Sequence, residues 1–283
     1  MAQTWFITGA SAGFGAAFAH HALSKGYNVV ATARREDRLK EIEAVDPGRV
    51  LIRRLDVTDT AQIDAAIKAA EERFCGIDVL INNAGYGIVG AVEETPEEEL
   101  RALMETNLFG AVTVTRAALP KMRKRRTGAI VMMSSMGGQM SFAGFGPYSA
   151  SKFAMEGLTE ALAQEIAPFG LKAMLVEPGA FRTEFAADAM RHMPKITAYH
   201  EIVGATRDFA KEMDGTQAGD PAKAAAAIEE ALASEITPLR LALGQDAVDA
   251  IRLHSQDLLA ELKKWENTST DVIHDDAEQV AAE

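Results

Sequence analysis

Within "GPYSASKFAM", residues 146–155, Tyr148 stands four positions ahead of Lys152. Four residues turn a helix by about 400°, so the two side chains leave nearly the same face. A phenol beside an ammonium can handle a proton at a substrate oxygen, but two surface neighbours would show the same spacing. A second feature with chemical meaning lies near the start of the chain. In "TGASAGFG", Gly9, Gly13 and Gly15 follow the apolar run "TWFITGA" and open the helical pattern "FGAAFAHHALSKG", closed by Gly26. Glycines at a strand-to-helix junction permit a tight turn and let backbone N–H groups approach a pyrophosphate at the helix N-terminus. The spacing is G-x-x-x-G-x-G rather than the commoner G-x-G-x-x-G.

The next run, "NVVATARRED", bears on which dinucleotide such a loop would hold. An NAD-preferring fold commonly ends its second strand with an acid for the ribose hydroxyls. Here Ala33 holds that place, followed by Arg34 and Arg35. A guanidinium can bind a 2′-phosphate through two hydrogen bonds, whereas an acid would repel it. The pattern predicts NADP(H), with Arg34 the recognising group; the alternative is two solvated arginines opening a helix.

The elements that would position these groups alternate regularly. Strand-like runs "TWFITGA", "NVVATAR", "RVLIRRLDV", "IDVLINNAG", "GAIVMMSS" and "LKAMLVEPG" are separated by amphipathic, helix-length stretches. Sustained alternation implies parallel strands joined by right-handed crossovers, with helices on both faces. The expected fold is a single-domain α/β doubly wound parallel sheet of Rossmann type spanning residues 1–283. Thr95 reads as a helix cap, with Pro96 first in the helix and Glu98 completing a capping box. That helix should run on through "MRKRR", with Gly110 and Pro120 as points of bending. After Gly179 the pattern loosens into a substrate-side segment, 180–220. Helices then follow at 221–234 and from Gly244, and the polar, acidic tail 270–283 should fray.

Composition narrows the function. Lys and Arg number 29 against 41 Asp and Glu, a net charge of −12 that argues against nucleic acid or an anionic membrane as partner. "KMRKRR" at 121–126 reads as cations at a helix C-terminus. Cys75 is the only cysteine, so no intramolecular disulfide is available and a reducing compartment, the cytoplasm, is expected. The six histidines never fall at ligand spacing with a third donor nearby, so no metal is predicted, and His20 and His21 should line a helix surface. No uninterrupted apolar run is long enough for a membrane span, and the first residues lack the pattern of a secretion signal.

Taken in order, "TGASAGFG", "LDVTD", "NNAG", Asn107 in "ETNLFG", the serines at 134–135, "YSASK" and "PGAFRT" resemble the short-chain dehydrogenase/reductases. The likeness runs from about residue 3 to residue 184 and is nearest to NADP-preferring members of the 17β-hydroxysteroid and retinol dehydrogenase type. It implies that Tyr148 exchanges a proton with the substrate oxygen and that Ser135, thirteen positions earlier, hydrogen-bonds that oxygen. It implies that Lys152 binds the nicotinamide ribose and that Asn107 holds a water linking Lys152 to solvent. A free phenol has a pKa of about 10; Lys152 and an oxidised nicotinamide would lower it. Bringing it to about 7 would take about 4 kcal/mol. The resemblance further implies that Gly9, Ser11, Gly13, Phe14 and Gly15 cradle the cofactor. Asp56 and Val57 would lie at the adenine, and Asn83, Ala84 and Gly85 would line the central pocket. Pro178 and Gly179 would flank the nicotinamide, with Thr183 on its carboxamide. Ala12 departs from relatives that carry a second basic residue in the loop.

The loop 136–146 and the segment after Gly179 should form the substrate pocket, with Met140, Phe142, Phe145, Phe181, Phe185, Met190 and Met193 divided between lining and ordinary core. A hydrophobic alcohol or ketone would suit it. By analogy, helices 100–119 and 150–166 would pair subunits into a homodimer or homotetramer. The rival functions are an NADP(H)-binding regulator without turnover and a cofactor-recycling isomerase or epimerase.

Overall fold

In the computed structural model, which describes residues 2–272, all six apolar runs become strands. The chain runs β1 (Thr4–Thr8), α1 (Gly13–Ser24), β2 (Asn28–Ala33), α2 (Lys40–Val45), β3 (Val50–Arg54), α3 (Thr60–Phe74) and β4 (Val79–Asn82). It continues through β5 (Gly87–Val89), α4 (Glu97–Met104), α5 (Ala111–Arg125), β6 (Ala129–Met133), α6 (Gly146–Ile166) and β7 (Lys172–Pro178). Then follow α7 (Phe185–Asp188), β8 (Met190–His192), α8 (His200–Glu212), α9 (Pro221–Ala233), β9 (Arg240–Leu243) and α10 (Gln245–Thr270).

Seven strands form one parallel sheet in the order β3-β2-β1-β4-β6-β7-β9. The central strands β1, β4 and β6 are buried along their whole length, which is why they read as unbroken apolar runs. Their side chains alternate between two cores. Trp5, Ile7 and Val131 join α1 and α9 on one face; Phe6, Leu80 and Ile130 join α3, α5 and α6 on the other. Strand order reverses between β1 and β4, so a crevice opens beyond their C-terminal ends, where ligands of this architecture bind.

Several local expectations change. The seventh strand, "RLAL" at 240–243, was not foreseen: it is short and mostly half-buried, and only pairing with β7 (Leu175↔Arg240 onward) makes it a strand. Thr95 does not cap α4. Its hydroxyl donates back to the Ala91 carbonyl at 3.0 Å, Pro96 occupies the cap position, and the helix starts at Glu97. The bend near Gly110 is a π-helical turn over Glu105–Gly110, whereas Pro120 stays inside α5. His20 is exposed as expected, but His21 turns inward to Glu229 at 2.8 Å. Of the tail, α10 extends regularly to Thr270, and residues 273–283 lie outside the described ones.

The segment 180–220 holds α7, β8 and α8, with β8 paired in parallel to β5. A buried ion pair pins it. Arg207 on α8 reaches Glu94 at 2.7 Å, the two side chains being 5% and 2% exposed. Glu94 also accepts from Ala91 N and Ile196 N, and Arg207 donates to the carbonyls of Met193 and Pro194. Burial alone would raise the Glu94 carboxyl, but these donors outweigh it and hold the group below its ordinary value.

Candidate active site

At the C-terminal end of β1 the chain turns through Gly9 (φ +66°) and Gly13 (φ +52°) into α1. Both lie in the left-handed region that favours glycine. Gly15 is small for a different reason: a Cβ there would fall 2.2 Å from the Gly9 carbonyl oxygen and 2.7 Å from Asn83 Nδ2. Asn83 ties this turn to β4, donating to the Thr8 and Gly9 carbonyls at 3.0 and 3.1 Å. Thr8 Oγ1 in turn accepts from the backbone N–H of Asn83 and Ala84. The ends of β1 and β4 are thus locked together where the sheet order reverses.

A cavity of about 640 Å³ opens over this junction. Its walls bring together Gly9, Ser11, Gly13, Phe14, Arg34, Asp56, Val57, Asn83, Ala84, Gly85 and Thr183 from the predicted set. Gly15 lies buried beneath it; Pro178 and Gly179 end β7, with Gly179 pressed against Asp246. Sequence reasoning missed Arg38, Tyr86, Thr106, Glu184 and Arg191 in the same walls, whereas Phe185, expected as lining, is there. Arg38 carried a signal, since it follows Arg34 by one helical spacing and adds a further cation to Arg34 and Arg35. Glu184 carried none: its carboxylate accepts from Gly13 N–H at 3.0 Å, an anion resting on the loop expected to hold one. That contact shows that the Gly13 N–H faces a site where it binds an anionic oxygen, as a diphosphate-holding loop requires.

Volume alone would choose the wrong edge. A larger groove, about 850 Å³, opens at the N-terminal end of the sheet beside Trp5 and Tyr27. Its cations are already engaged, Lys25 with Glu229, Arg125 with Glu71, and Lys172 with the Leu232 carbonyl.

The groups expected to handle a proton sit just past the end of β6 and in the first turns of α6. Tyr148 and Lys152 lie in the first two turns of α6, with Lys152 Nζ 5.7 Å from the centre of the Tyr148 ring. Ser135 stands just past β6, takes a hydrogen bond from Gly137 N at 3.0 Å, and lies near enough to the Tyr148 hydroxyl to draw its pKa down. Phe185 covers the phenol, ring centre to ring centre 5.9 Å. Burial pushes Tyr148 up to about 12, and Ser135 pulls weakly the other way. The protein's own groups therefore hold a neutral phenol, the form that gives up a proton; Lys152, over the ring and bonded to the Met133 carbonyl at 2.6 Å, does not lower it.

The π-helical turn delivers Asn107, fully buried, to the same place. Its Oδ1 accepts from Tyr86 N at 3.0 Å, and Nδ2 donates to Tyr86 O at 2.9 Å and Ser151 Oγ at 3.1 Å. Ser151 passes the link to the Tyr148 carbonyl at 2.7 Å. π-helical turns often mark functional positions, and here one aims an amide at the start of α6.

Behind Lys152 lies a cluster that no motif announced. Glu156, one helical turn further along α6, and Glu177 on β7 are both buried. Gln139 donates to both, and Arg240 on β9 lies 2.9 Å from Glu156 and 3.6 Å from Glu177 while also binding exposed Glu160. One oxygen of Glu156 has no partner among the described residues. Burial pushes Lys152 down to about 8, and Glu156 opposes that. Burial and the adjacent Glu156 push Glu177 up to about 7, against Gln139 and Arg240.

Of the residues proposed for an apolar lining, Phe185 and Met190 close over Gly87. Phe181 does not join them: it packs at a tilt on Phe14, 5.0 Å between ring centres, against the core beside α1. Met193 is core with Ile88 and Leu103, Met140 is buried, and Phe142 is exposed.

Residues 3–194 match the family model of the short chain dehydrogenases. The chain is 38% identical to a 3-ketodihydrosphingosine reductase of Bacteroides thetaiotaomicron, covering 93% of each chain. A crystal structure of a short-chain dehydrogenase from Streptomyces avermitilis superposes with a TM-score of 0.91 at 50% identity, over 96% of this chain and 98% of that one. A second, from Burkholderia phymatum in complex with NAD, gives 0.82 at 26% identity, over 92% and 95%. No helix among the described residues is long and apolar enough to cross a membrane. The crevice over β1 and β4, the Ser135–Tyr148–Lys152 grouping and these matches lead to one assignment: the chain belongs to the short-chain dehydrogenase/reductase family, oxidoreductases that use a nicotinamide cofactor.

Proposed function

We propose that this protein interconverts a carbonyl and a hydroxyl group on an apolar small molecule, using NADP(H) and Tyr148 as the acid and base. The observation that carries the reading is the convergence of Ser135, Tyr148 and Lys152 beside Phe185, which itself lines the crevice, with the phenol kept protonated. When bound, the nicotinamide supplies or accepts the hydride. Tyr148 Oη gives its proton to the carbonyl oxygen during reduction and takes it back during oxidation. Ser135 Oγ donates to the same oxygen and steadies its developing charge. Lys152 has two N–H groups beyond the one spent on Met133, enough to orient a ribose and to favour the anion once Tyr148 has given up its proton. Phe185 shields this point from water.

The NADP(H) reading rests on Ala33, which leaves room at the end of β2, and on Arg34, Arg35 and Arg38, all exposed along the cavity wall. An apolar ketone is supported by Phe185 against the phenol, with Met190 beside it over Gly87, and by the kind of substrate named for the Bacteroides relative. Purified protein with NADPH and a panel of long-chain ketones, cyclic ketones and aldehydes should consume NADPH. Tight NADPH binding without turnover on any of them, in either direction, would favour a regulator instead. Arg34→Asp should lower NADPH affinity by roughly tenfold or more while sparing NADH, as expected for loss of a charge-assisted bond worth about 1.5–3 kcal/mol. An unchanged ratio would remove the argument for NADP(H).

A further inference from the structure

The last helix of the described chain outruns the body that supports it. Ala247 is buried and Val248, Ile251 and His254 are half-buried, all on the face of α10 turned to the domain. The same face continues as Leu258, Leu262 and Trp265, which are 53%, 64% and 53% exposed, with Leu259 beside them at 66%. From Leu253 to Thr270 the helix extends about 27 Å. A single helix of that length, with large apolar side chains in water, is marginal by itself. The apolar positions 248, 251, 255, 258, 262 and 265 alternate by three and four, the seam of a two-helix coiled coil, broken only by Ser255.

We propose that the exposed part of this seam, from Ser255 to Trp265, is covered by α10 of a second copy of the chain, running antiparallel. With Leu258 set against Leu262 of the second copy, small Ser255 falls opposite bulky Trp265, and Leu259 meets its own mate near the twofold axis. Arg252, which also binds Asp249 at 2.8 Å, then lies beside Glu266 of the second copy, at both ends of the pair. Glu261 faces its mate as the single like-charged contact. A parallel pair is worse: Trp265 would stack on Trp265, and Glu261 would meet Glu266 on both sides. A bilayer is a poorer occupant, because the helix carries five acidic residues to three basic ones, the wrong balance for an interfacial anchor. This surface is separate from α4–α6 and owes nothing to the reading of the active site.

The test uses the full chain. Sedimentation should give an even multiple of 30.4 kDa, and Leu258→Glu combined with Leu262→Glu should halve it; both positions are exposed, so the fold tolerates the change. In a Cys75→Ser background, mixing an Arg252→Cys chain with a tagged Glu266→Cys chain under mild oxidation should yield the mixed covalent dimer in excess over either homodimer. A monomeric wild type, an unchanged mass in the double variant, or no excess of the mixed dimer would overturn the proposal. So would a wild-type chain that stays monomeric while floating with zwitterionic vesicles.

Discussion

Two groups of buried charges lie at opposite ends of the substrate side, and they are built on different principles. Glu94 and Arg207 form a one-to-one pair in which both carboxylate oxygens and both terminal guanidinium nitrogens are hydrogen-bonded. The groups behind Lys152 are unbalanced: two buried carboxylates share Gln139 and one arginine, and an oxygen of Glu156 is left over. In the first group the Glu94 carboxyl is held below its ordinary value; in the second Lys152 is pushed down to about 8 and Glu177 up to about 7. Fully satisfied buried charge fixes the position of a segment, here α8 against the loop after β5. Incompletely satisfied charge keeps a proton exchangeable, and that is useful only next to chemistry.

The sharpest way to break this comparison is at the phenol one helical turn before Lys152. Tyr148→Phe should cut turnover by roughly 10²–10⁴-fold, the usual worth of a positioned general acid, with NADPH affinity and melting temperature nearly unchanged. A large stability loss would mean the site is structural. Next comes the satisfied pair. Arg207→Met strands Glu94 without its cation and should cost about 3–5 kcal/mol in denaturant unfolding. Adding Glu94→Gln should recover a large part of that, because the penalty is an unpaired buried charge. If the double variant is as unstable as the sum of the singles, the pair is not coupled.

A subtler effect separates the two groups by pH. Lys152 sits at about 8, so it loses its charge as pH rises through that value and turnover should fall with it. Glu156 favours the charged lysine; Glu156→Gln therefore moves the fall to lower pH. Glu94→Gln should leave the profile where it is. A rate profile unaffected by Glu156→Gln would detach the carboxylate cluster from the reaction.

Much of this was legible in the chain. The order of six strands, the glycine turn, and the facing of Tyr148 and Lys152 follow from spacings of a few residues, and the structure brings most of the predicted cofactor residues to one cavity. What was illegible depended on partners far away in the chain. Glu177, Glu156 and Arg240 come from β7, α6 and β9 and read in sequence as ordinary strand or helix charges. Phe181 looked like substrate lining because nothing nearby in the chain records that Phe14 would receive it. Thr95 matched a cap by type, but the Ala91 carbonyl took its hydroxyl first.

The amino-acid sequence by itself determined the alternation of strand and helix, the glycine turn after β1 and the placing of Tyr148 and Lys152 on one helix face. Backbone sterics, helical pitch and the removal of apolar runs from water act over a handful of residues, so they can be read directly. Only the tertiary structure decided that "RLAL" is the seventh strand, which carboxylates stand behind Lys152, and which face of α10 is left bare. Each of those is a question of which distant groups lose water together, and that is settled when the layers close.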